Sequence, residues 1–173
     1  MESDLGQSLK DKFLFDTSAF LSIESVHLLD KVINIFSIVT TFSVIGELED
    51  FAQHEDILGF VAERVLTKKE KFVLEKIALT VRLDYVSSID EELFNLSLKG
   101  NITLITDDLK LFRHTTGKIK RAFSTYFLTN FVQAGLLTKE EALKKLESMR
   151  EVRNWQDNII YISTKEILEN IKD

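Results

Sequence analysis

Residues 13–18 read Phe-Leu-Phe-Asp-Thr-Ser, three apolar residues followed by an acid and two hydroxyl side chains. A short, continuous apolar run is typical of a strand that is buried on both faces of a parallel sheet. An ionised carboxylate at the end of such a strand costs several kcal/mol to bury unless another group compensates its charge. We therefore expect Asp16 to have a partner, and the rest of the chain indicates which kind.

Short apolar runs alternate along the chain with segments of helical spacing. The predicted strands are 12–16, 35–41, 82–86, 102–106 and 118–123. This alternation predicts an α/β fold whose parallel sheet of four to five strands is flanked by helices. We expect one domain over 1–173, with a core at about 12–125 and a mostly helical C-terminal extension at about 125–173. Within the extension, N-I-I-Y-I-S (158–163) is predicted to be extended.

Capping signals predict where several helices begin and end. Ser or Thr followed three residues later by Glu, the signature of a capping box, occurs at Thr67 with Glu70, Ser88 with Glu91, Thr138 with Glu141 and Ser163 with Glu166. The first of these predicts a helix through Phe72, Leu74 and Ile77. Ser43 is the predicted N-cap of the helix after the second strand, and Gly100 is a predicted left-handed C-cap. A single crossover helix is expected between the first two strands.

Composition excludes several classes of protein. The chain has 173 residues, a net charge of -6 and no cysteine, so a disulfide framework or a thiolate metal site is not available to it. No apolar run reaches the roughly 18–20 residues that span a bilayer. The first seven residues, M-E-S-D-L-G-Q, lack the basic start and apolar stretch of a signal peptide. We expect a soluble, cytoplasmic protein without a membrane partner.

A carboxylate follows each of the first four predicted strands. These acids are Asp16, Glu47, Asp90 and the adjacent pair Asp107 and Asp108. Because ligands of an open parallel sheet bind outside the carboxyl ends of its strands, we expect the acids to gather at one edge. Crowded carboxylates either take up protons or hold a cation. Oxygen ligands without Cys or His favour a hard ion, Mg²⁺ or Mn²⁺, over zinc.

Each acid also has an ordinary interpretation. Asp16 could begin a turn or cap a helix, Glu47 could be an exposed helix acid, and Asp90 could be an acid that the dipole favours at a helix N-terminus. Of Asp107 and Asp108, one is expected to be an N-cap, and only the other need be a ligand. All of these ordinary roles would have to coincide at the same edge of the sheet, which makes a cation site the preferred hypothesis.

Four stretches of the chain resemble the PIN domain (PilT N-terminus), in particular VapC-like ribonucleases of archaea. They are F-L-F-D-T-S-A-F (13–20), V-I-G-E-L (44–48), S-S-I-D-E-E-L (87–93) and L-I-T-D-D (104–108). Their order and spacing match the family over roughly residues 12–125. G-L-L-T-K-E-E-A-L and R-N-W-Q-D-N in the C-terminal extension are similar to extensions on archaeal members.

The resemblance implies a Mg²⁺- or Mn²⁺-dependent endoribonuclease that leaves 5′-phosphate and 3′-hydroxyl ends. It implies that the catalytic, metal-binding acids are Asp16, Glu47, Asp90 and Asp108, that Asp107 is an accessory ligand, and that the hydroxyls of Ser18 and Thr106 support the site. Members act either as the toxin of a toxin–antitoxin pair or in RNA processing. A toxin would bind a small antitoxin protein and would commonly form a homodimer.

The negative net charge opposes an RNA substrate, but four of the six excess charges belong to the four site acids, and bound cations would reverse the local sign. Lys110 and Arg113, just after the last acid, are candidate RNA contacts, and a solvated basic face is their ordinary interpretation. Trp155 is expected to anchor the extension in the core, with base stacking as the alternative.

Other functions are open at this point. A catalytically silent PIN scaffold could bind RNA or a protein without cleaving. A phosphatase of the haloacid dehalogenase kind would need a second Asp two residues after the first, where Ser18 stands. A phospho-receiver domain would need a Lys at the end of the fifth strand, where Phe123 and Ser124 stand. The metal-dependent ribonuclease is the preferred hypothesis.

Overall fold

A computed structural model of the protein describes residues 10–172. The first seven residues, which we predict are not a signal peptide, lie outside the described residues. Within them the chain forms one parallel, five-stranded sheet, and its strands are β1 (Lys12–Phe15), β2 (Ser37–Thr41), β3 (Val73–Glu75), β4 (Thr103–Ile105) and β5 (Arg121–Ala122). The described helices are α1 (Thr17–Ser25), α2 (Leu29–Ile35), α3 (Phe42–Phe51), α4 (Ile57–Leu66), α5 (Ser88–Gly100), α6 (Leu109–His114), α7 (Tyr126–Gln133), α8 (Lys139–Val152) and α9 (Ile159–Asn170). The predicted α/β class is confirmed, and the architecture is consistent with a PIN-like fold.

The strand order places the first strand at the centre of the sheet. The order is β3-β2-β1-β4-β5, so the chain builds outward from β1 in one direction and then returns to add β4 and β5 on the other side. Strand order therefore reverses between β1 and β4. In open α/β sheets the crevice at the carboxyl ends of the strands beside such a reversal is where ligands bind.

The extension packs on the same core as the sheet. Trp155 is only 5% exposed and joins the hydrophobic core, as do Met149 and Leu168 from α8 and α9. The prediction that Trp155 anchors the extension is confirmed. No helix within residues 10–172 is long and apolar enough to cross a membrane.

The helix predicted from Thr67 is wrong, and so is the strand predicted at 82–86. Thr67 ends α4, and its hydroxyl donates to the Arg64 carbonyl at 2.7 Å instead of capping a new helix. A turn of 3₁₀ helix follows, and the third strand is β3, which pairs with β2.

Side chains of α5 bind backbone amides at residues 80, 81 and 83, at and just before the start of the predicted strand at 82–86. The Asn95 carbonyl oxygen accepts from the Thr80 and Val81 amides at 3.0 and 2.9 Å, and the Glu91 carboxylate accepts from the Leu83 amide at 2.9 Å. Because these amides are held by a helix, the segment lies beside α5 as a loop.

The extended segment predicted at 158–163 is also wrong, because α9 begins there. Asn158 caps this helix by accepting from the Ile160 amide at 2.8 Å. The buried residues of α9 are Ile160, Thr164 and Leu168, which are spaced by four and so share one helix face. The hydroxyl of Ser163, the predicted cap, donates to the Ile159 carbonyl inside the helix at 2.7 Å.

Four smaller predictions about helix boundaries are corrected. Thr41 caps α3 in place of Ser43, and the α5 capping box uses Ser87 with Asp90, one residue before the predicted pair. The left-handed C-cap of α5 is Asn101, with φ of 48°, and not Gly100. The single crossover helix is two helices, α1 and α2, because His27 takes a φ of 56° between them. The capping box at Thr138 and Glu141 is confirmed.

Aromatic side chains hold the extension against the sheet. Phe127 on α7 is fully buried, and its ring centroid lies 5.2 Å from that of Phe13 and 5.7 Å from that of Phe15, both on β1. Phe36 contributes a further ring at 5.6 Å. This cluster joins the central strand to the first helix of the extension.

We predict that Phe127→Ala lowers the free energy of unfolding by about 3–5 kcal/mol, because it leaves a cavity between β1 and α7. Phe60→Ala is the control, since the Phe60 side chain is 55% exposed, and it should change stability by less than about 1 kcal/mol. Urea denaturation followed by circular dichroism measures both. Similar midpoints for the two variants would contradict the assigned role of Phe127.

Candidate active site

A cavity of about 350 Å³ opens at the carboxyl edge of the sheet, beside the point where strand order reverses. Four acids line it, and they are Asp16, Glu47, Asp90 and Asp108. They come from four segments that are far apart in sequence: the end of β1, α3, α5 and the start of α6. The structure thus brings the four predicted site acids to one cavity.

Asp16 is the most buried of the four acids, with 6% of its surface exposed. It is the N-cap of α1, and its Oδ1 accepts from the Ala19 amide at 2.7 Å. The Ser18 hydroxyl donates to the same carboxylate at 2.8 Å, and the Thr106 hydroxyl donates to Oδ2. Three donors from α1 and β4 therefore hold this carboxylate.

The two hydroxyls also tie Asp16 to the backbone that follows β4. Ser18 Oγ accepts from the Asp107 amide at 2.8 Å, and Thr106 Oγ1 accepts from the Asp108 amide at 3.0 Å. A hydroxyl has one proton, so each oxygen that accepts from an amide can aim its proton at Asp16. This geometry is the one that a supporting role for Ser18 and Thr106 requires.

Burial raises the pKa of Asp16 from 3.8 to about 7. Burial is the largest cause, and the negative charge of Asp107 raises the pKa further, whereas the hydrogen bonds from Thr106, Ala19 and Ser18 lower it. Desolvation disfavours the charged form of a carboxylate more than these donors favour it. Without a cation, Asp16 therefore holds its proton up to near-neutral pH.

Asp107 is buried behind the cavity and does not line it. Its Oδ1 accepts from the Ser124 amide at 2.9 Å, while its Oδ2 is buried and has no hydrogen-bond partner in residues 10–172. Burial raises the pKa of Asp107. Three neighbours act in the opposite direction but do not offset the burial: the Ser22 and Ser124 residues and the positive charge of Arg153. The structure thus places Asp107 apart from the acids that share the cavity.

Asp108 combines the two roles that the sequence assigned to different residues. Its Oδ1 caps α6 by accepting from the Lys110 and Leu111 amides at 2.7 and 3.1 Å. The same exposed side chain lines the cavity. Of the adjacent pair of acids, the N-cap is therefore also the one that faces the cavity.

Glu47 and Asp90 are each held by a neighbouring hydroxyl residue. Thr17 donates to Glu47 Oε2 at 2.5 Å, which links α3 to the first turn of α1. Asp90 Oδ2 accepts from the Ser87 amide at 3.0 Å, so Asp90 reaches the cavity as the acid of a capping box. Thr17 lies in the Asp-Thr-Ser that follows the first strand, but it is not among the predicted site residues.

The side chains that line the cavity suit a hard divalent cation in their chemistry. All four carboxylates offer oxygen ligands, and Asp16 is a buried acid whose ionised form a cation would favour. Within the described residues, however, no three of the His, Asp and Glu side chains stand together as a ready set of metal ligands. The site has the donor types of a metal centre in an open arrangement.

The two predicted RNA contacts do not line the cavity. Lys110 and Arg113 lie on α6 with exposed side chains, next to the acid that caps that helix. A different cation, Arg153, lines the cavity from the extension. It lies in R-N-W-Q-D-N, and no local pattern in the sequence indicates that α8 would carry it to the acids.

The chain matches no protein-family model and no curated protein sequence. The PIN resemblance therefore stays a prediction that rests on the four quoted stretches. The fold and the convergence of the four acids rest on the structure itself.

We predict that the cation-free protein loses stability as pH rises from about 4 to about 7. The folded state keeps the Asp16 proton up to about pH 7, whereas the unfolded chain releases it near pH 3.8. The protonated Asp16 therefore contributes fully to the free energy of unfolding below pH 3.8, and this contribution is lost as the pH rises to the folded-state pKa of about 7. Asp16→Asn should flatten this slope and raise the melting temperature at pH 8 in EDTA. Thermal denaturation at several pH values measures both effects.

Asp56→Asn is the matched control. Asp56 caps α4 by accepting from the Gly59 amide at 2.8 Å, as Asp16 caps α1, but its side chain is exposed. This variant should keep the wild-type slope. An unchanged slope in Asp16→Asn would show that burial of this carboxylate does not govern the pH dependence.

Proposed function

We propose that this protein is a divalent-cation-dependent endoribonuclease that uses Mg²⁺ or Mn²⁺. The observation that supports the proposal most is the meeting of four carboxylates from distant segments at one cavity, beside the reversal of strand order. Solubility does not require four acids from distant segments to line one cavity. A function that needs concentrated negative charge, such as holding a cation, accounts for the convergence.

The chain's own residues would prepare the site for that cation. Asp16 is held by three donors, so its carboxylate has a fixed position before any ligand binds. Thr17 holds Glu47, and the α6 cap holds Asp108, so both carboxylates are restrained by hydrogen bonds through one oxygen. Restraint of this kind lowers the entropy that is lost when the site assembles.

A divalent cation, when bound, would polarise the phosphodiester and activate a water for in-line attack. The products would then carry 5′-phosphate and 3′-hydroxyl ends, as the PIN resemblance implies. Asp16, Glu47 and Asp108 would hold the cation, with Asp90 at the same cavity as the fourth acid. Asp107, which lies behind them, would act on Asp16 through its charge, since that charge raises the pKa of Asp16.

The biological setting belongs to the same proposal. The resemblance supports a cytoplasmic enzyme with an RNA substrate, acting as a toxin with a small antitoxin protein or as an RNA-processing nuclease. A toxin would commonly be a homodimer. Large apolar side chains on α3 and α4, Phe42, Ile57 and Phe60, are exposed by half or more and offer area for such a partner.

We predict that Asp16→Asn and Asp108→Asn each lower the rate of RNA cleavage at least about 100-fold, because each removes a charged ligand and leaves the fold intact. Asn replaces Asp well at an N-cap, and both residues are N-caps, so the substitutions isolate the carboxylate charge. Asp56→Asn makes the same exchange at the cap of α4 and should keep wild-type activity. Cleavage of a labelled single-stranded RNA with Mn²⁺, and with EDTA in its place, measures the rates.

Wild-type rates in both Asp16→Asn and Asp108→Asn at excess Mn²⁺ would contradict the proposed site. Wild-type protein that binds the RNA but does not cleave it with Mn²⁺ or Mg²⁺ would favour the silent scaffold. Circular dichroism of each variant separates loss of activity from loss of fold.

A further inference from the structure

We propose that Arg153, carried into the acidic cavity by the C-terminal extension, binds a phosphate of the RNA substrate next to the acids. This inference rests on the proposed nuclease function and assigns a role to a residue outside the stretches that resemble a PIN domain. Among the described side chains that line the cavity, Arg153 is the one with a positive charge.

The electrostatics of the cavity call for such a group. Four carboxylates repel a phosphodiester, and a bound cation offsets only part of their charge. A guanidinium is always charged and can donate two parallel hydrogen bonds to a phosphate. One arginine at the edge of an acidic site can therefore attract the substrate anion without competing for the cation.

The Arg153 side chain is partly buried and has hydrogen-bonding capacity to spare. Its Nε is buried and has no hydrogen-bond partner within residues 10–172. The Arg153 charge also lowers the pKa of Asp107, which places the guanidinium within electrostatic reach of the acids behind the cavity. Because Nε itself is buried, a phosphate in the cavity would bind the two terminal guanidinium nitrogens.

The fold fixes where Arg153 stands. Lys145 on α8 donates to the Val26 carbonyl at the end of α1 at 2.9 Å, while Arg153, after the end of α8, shares the cavity with Asp16 before the start of α1. The helices α8 and α1 therefore run antiparallel. This pairing delivers the end of α8 to the carboxyl edge of the sheet.

The turn after α8 is held firmly. The Arg153 amide donates to the Met149 carbonyl at 2.9 Å, and the Trp155 amide donates to the Arg150 carbonyl at 2.9 Å. Asn154 between them takes a φ of 52°, and Trp155 is buried in the core. Arg153 is thus presented from a rigid turn, and little backbone entropy would be lost when a phosphate binds it.

Steady-state cleavage kinetics with Mn²⁺ test this role in Arg153→Ala, Arg153→Lys and Arg150→Ala. We expect Arg153→Ala to lower kcat/KM roughly 10- to 100-fold, mainly through KM, because a charged hydrogen bond to the substrate is lost. Arg153→Lys should lower kcat/KM several-fold, because lysine keeps the positive charge but cannot donate two parallel hydrogen bonds to one phosphate. Arg150→Ala, one turn earlier and outside the cavity lining, should stay within about twofold of wild type.

Salt dependence separates a phosphate contact from a structural role. The slope of log KM against log salt concentration should fall by about one in Arg153→Ala, and a residue that only compensates buried Asp107 would shift the melting temperature without changing this slope. Binding of the same labelled RNA to Asp16→Asn, with and without Arg153→Ala, gives a readout that does not depend on turnover.

The outcomes distinguish this inference from the proposed function. An active wild type whose Arg153 variants keep its KM and its salt slope overturns the phosphate role and leaves the nuclease intact. A wild type that neither binds nor cleaves RNA overturns both. Should Arg153→Ala fail to fold, Arg153→Lys decides, and wild-type kcat/KM and KM in that variant would overturn the inference.

Discussion

One buried carboxylate, that of Asp16, joins the central strand, the first helix and the segment that follows β4. Asp16 directly follows β1 and is the N-cap of α1. It accepts hydrogen bonds from the hydroxyl of Ser18 in α1 and from the hydroxyl of Thr106, which directly follows β4. The same hydroxyls accept from the amides of Asp107 and Asp108, so the two strand ends that flank the reversal of strand order are joined through this acid. Burial disfavours its charge, and the site around it is built from further acids. This arrangement is the basis of the proposed cation site.

The Asp16 network also explains why the site can be stable without its ligand. A proton can compensate the Asp16 charge when no cation is bound, because the pKa lies near neutrality. In the proposed enzyme, the proton and the cation would compete for this carboxylate. Cation affinity should therefore increase with pH until Asp16 is fully ionised. The ionisation of Asp16 would therefore affect both the stability of the fold and the proposed cation affinity.

Much of the fold and of the site could be predicted from local pattern. The apolar run before Asp16 forms the predicted buried strand, and the acids at 47, 90 and 108 line one cavity with Asp16. Asp90 lies in the first turn of α5, as one of its two interpretations predicted, but the strand predicted before it at 82–86 is a loop. The short β3 was not predicted, because three residues are too few to show an alternation of apolar and polar side chains. Thr67 is the predicted start of a helix, but its hydroxyl donates to a carbonyl in the last turn of α4.

Long-range placement could not be predicted. Arg153 reaches the acids only because α8 packs antiparallel to α1, and nothing near residue 153 encodes that pairing. The loop at 80–83 is shaped by Asn95 and Glu91, whose side chains replace the backbone partners of a strand. Asp107 looked equivalent to Asp108 in sequence, but the direction of the backbone after β4 buries one and exposes the other. Each of these features depends on tertiary contacts.

The most direct test is anomalous diffraction from a crystal of the wild-type protein grown with Mn²⁺ at pH 8. We predict a manganese peak in the cavity, with carboxylate oxygens of Asp16 and Asp108 among its ligands. A cavity that stays free of manganese while the ion occupies other surface sites, or acids that turn away from one another, would contradict the central claim that these carboxylates converge to hold a divalent cation.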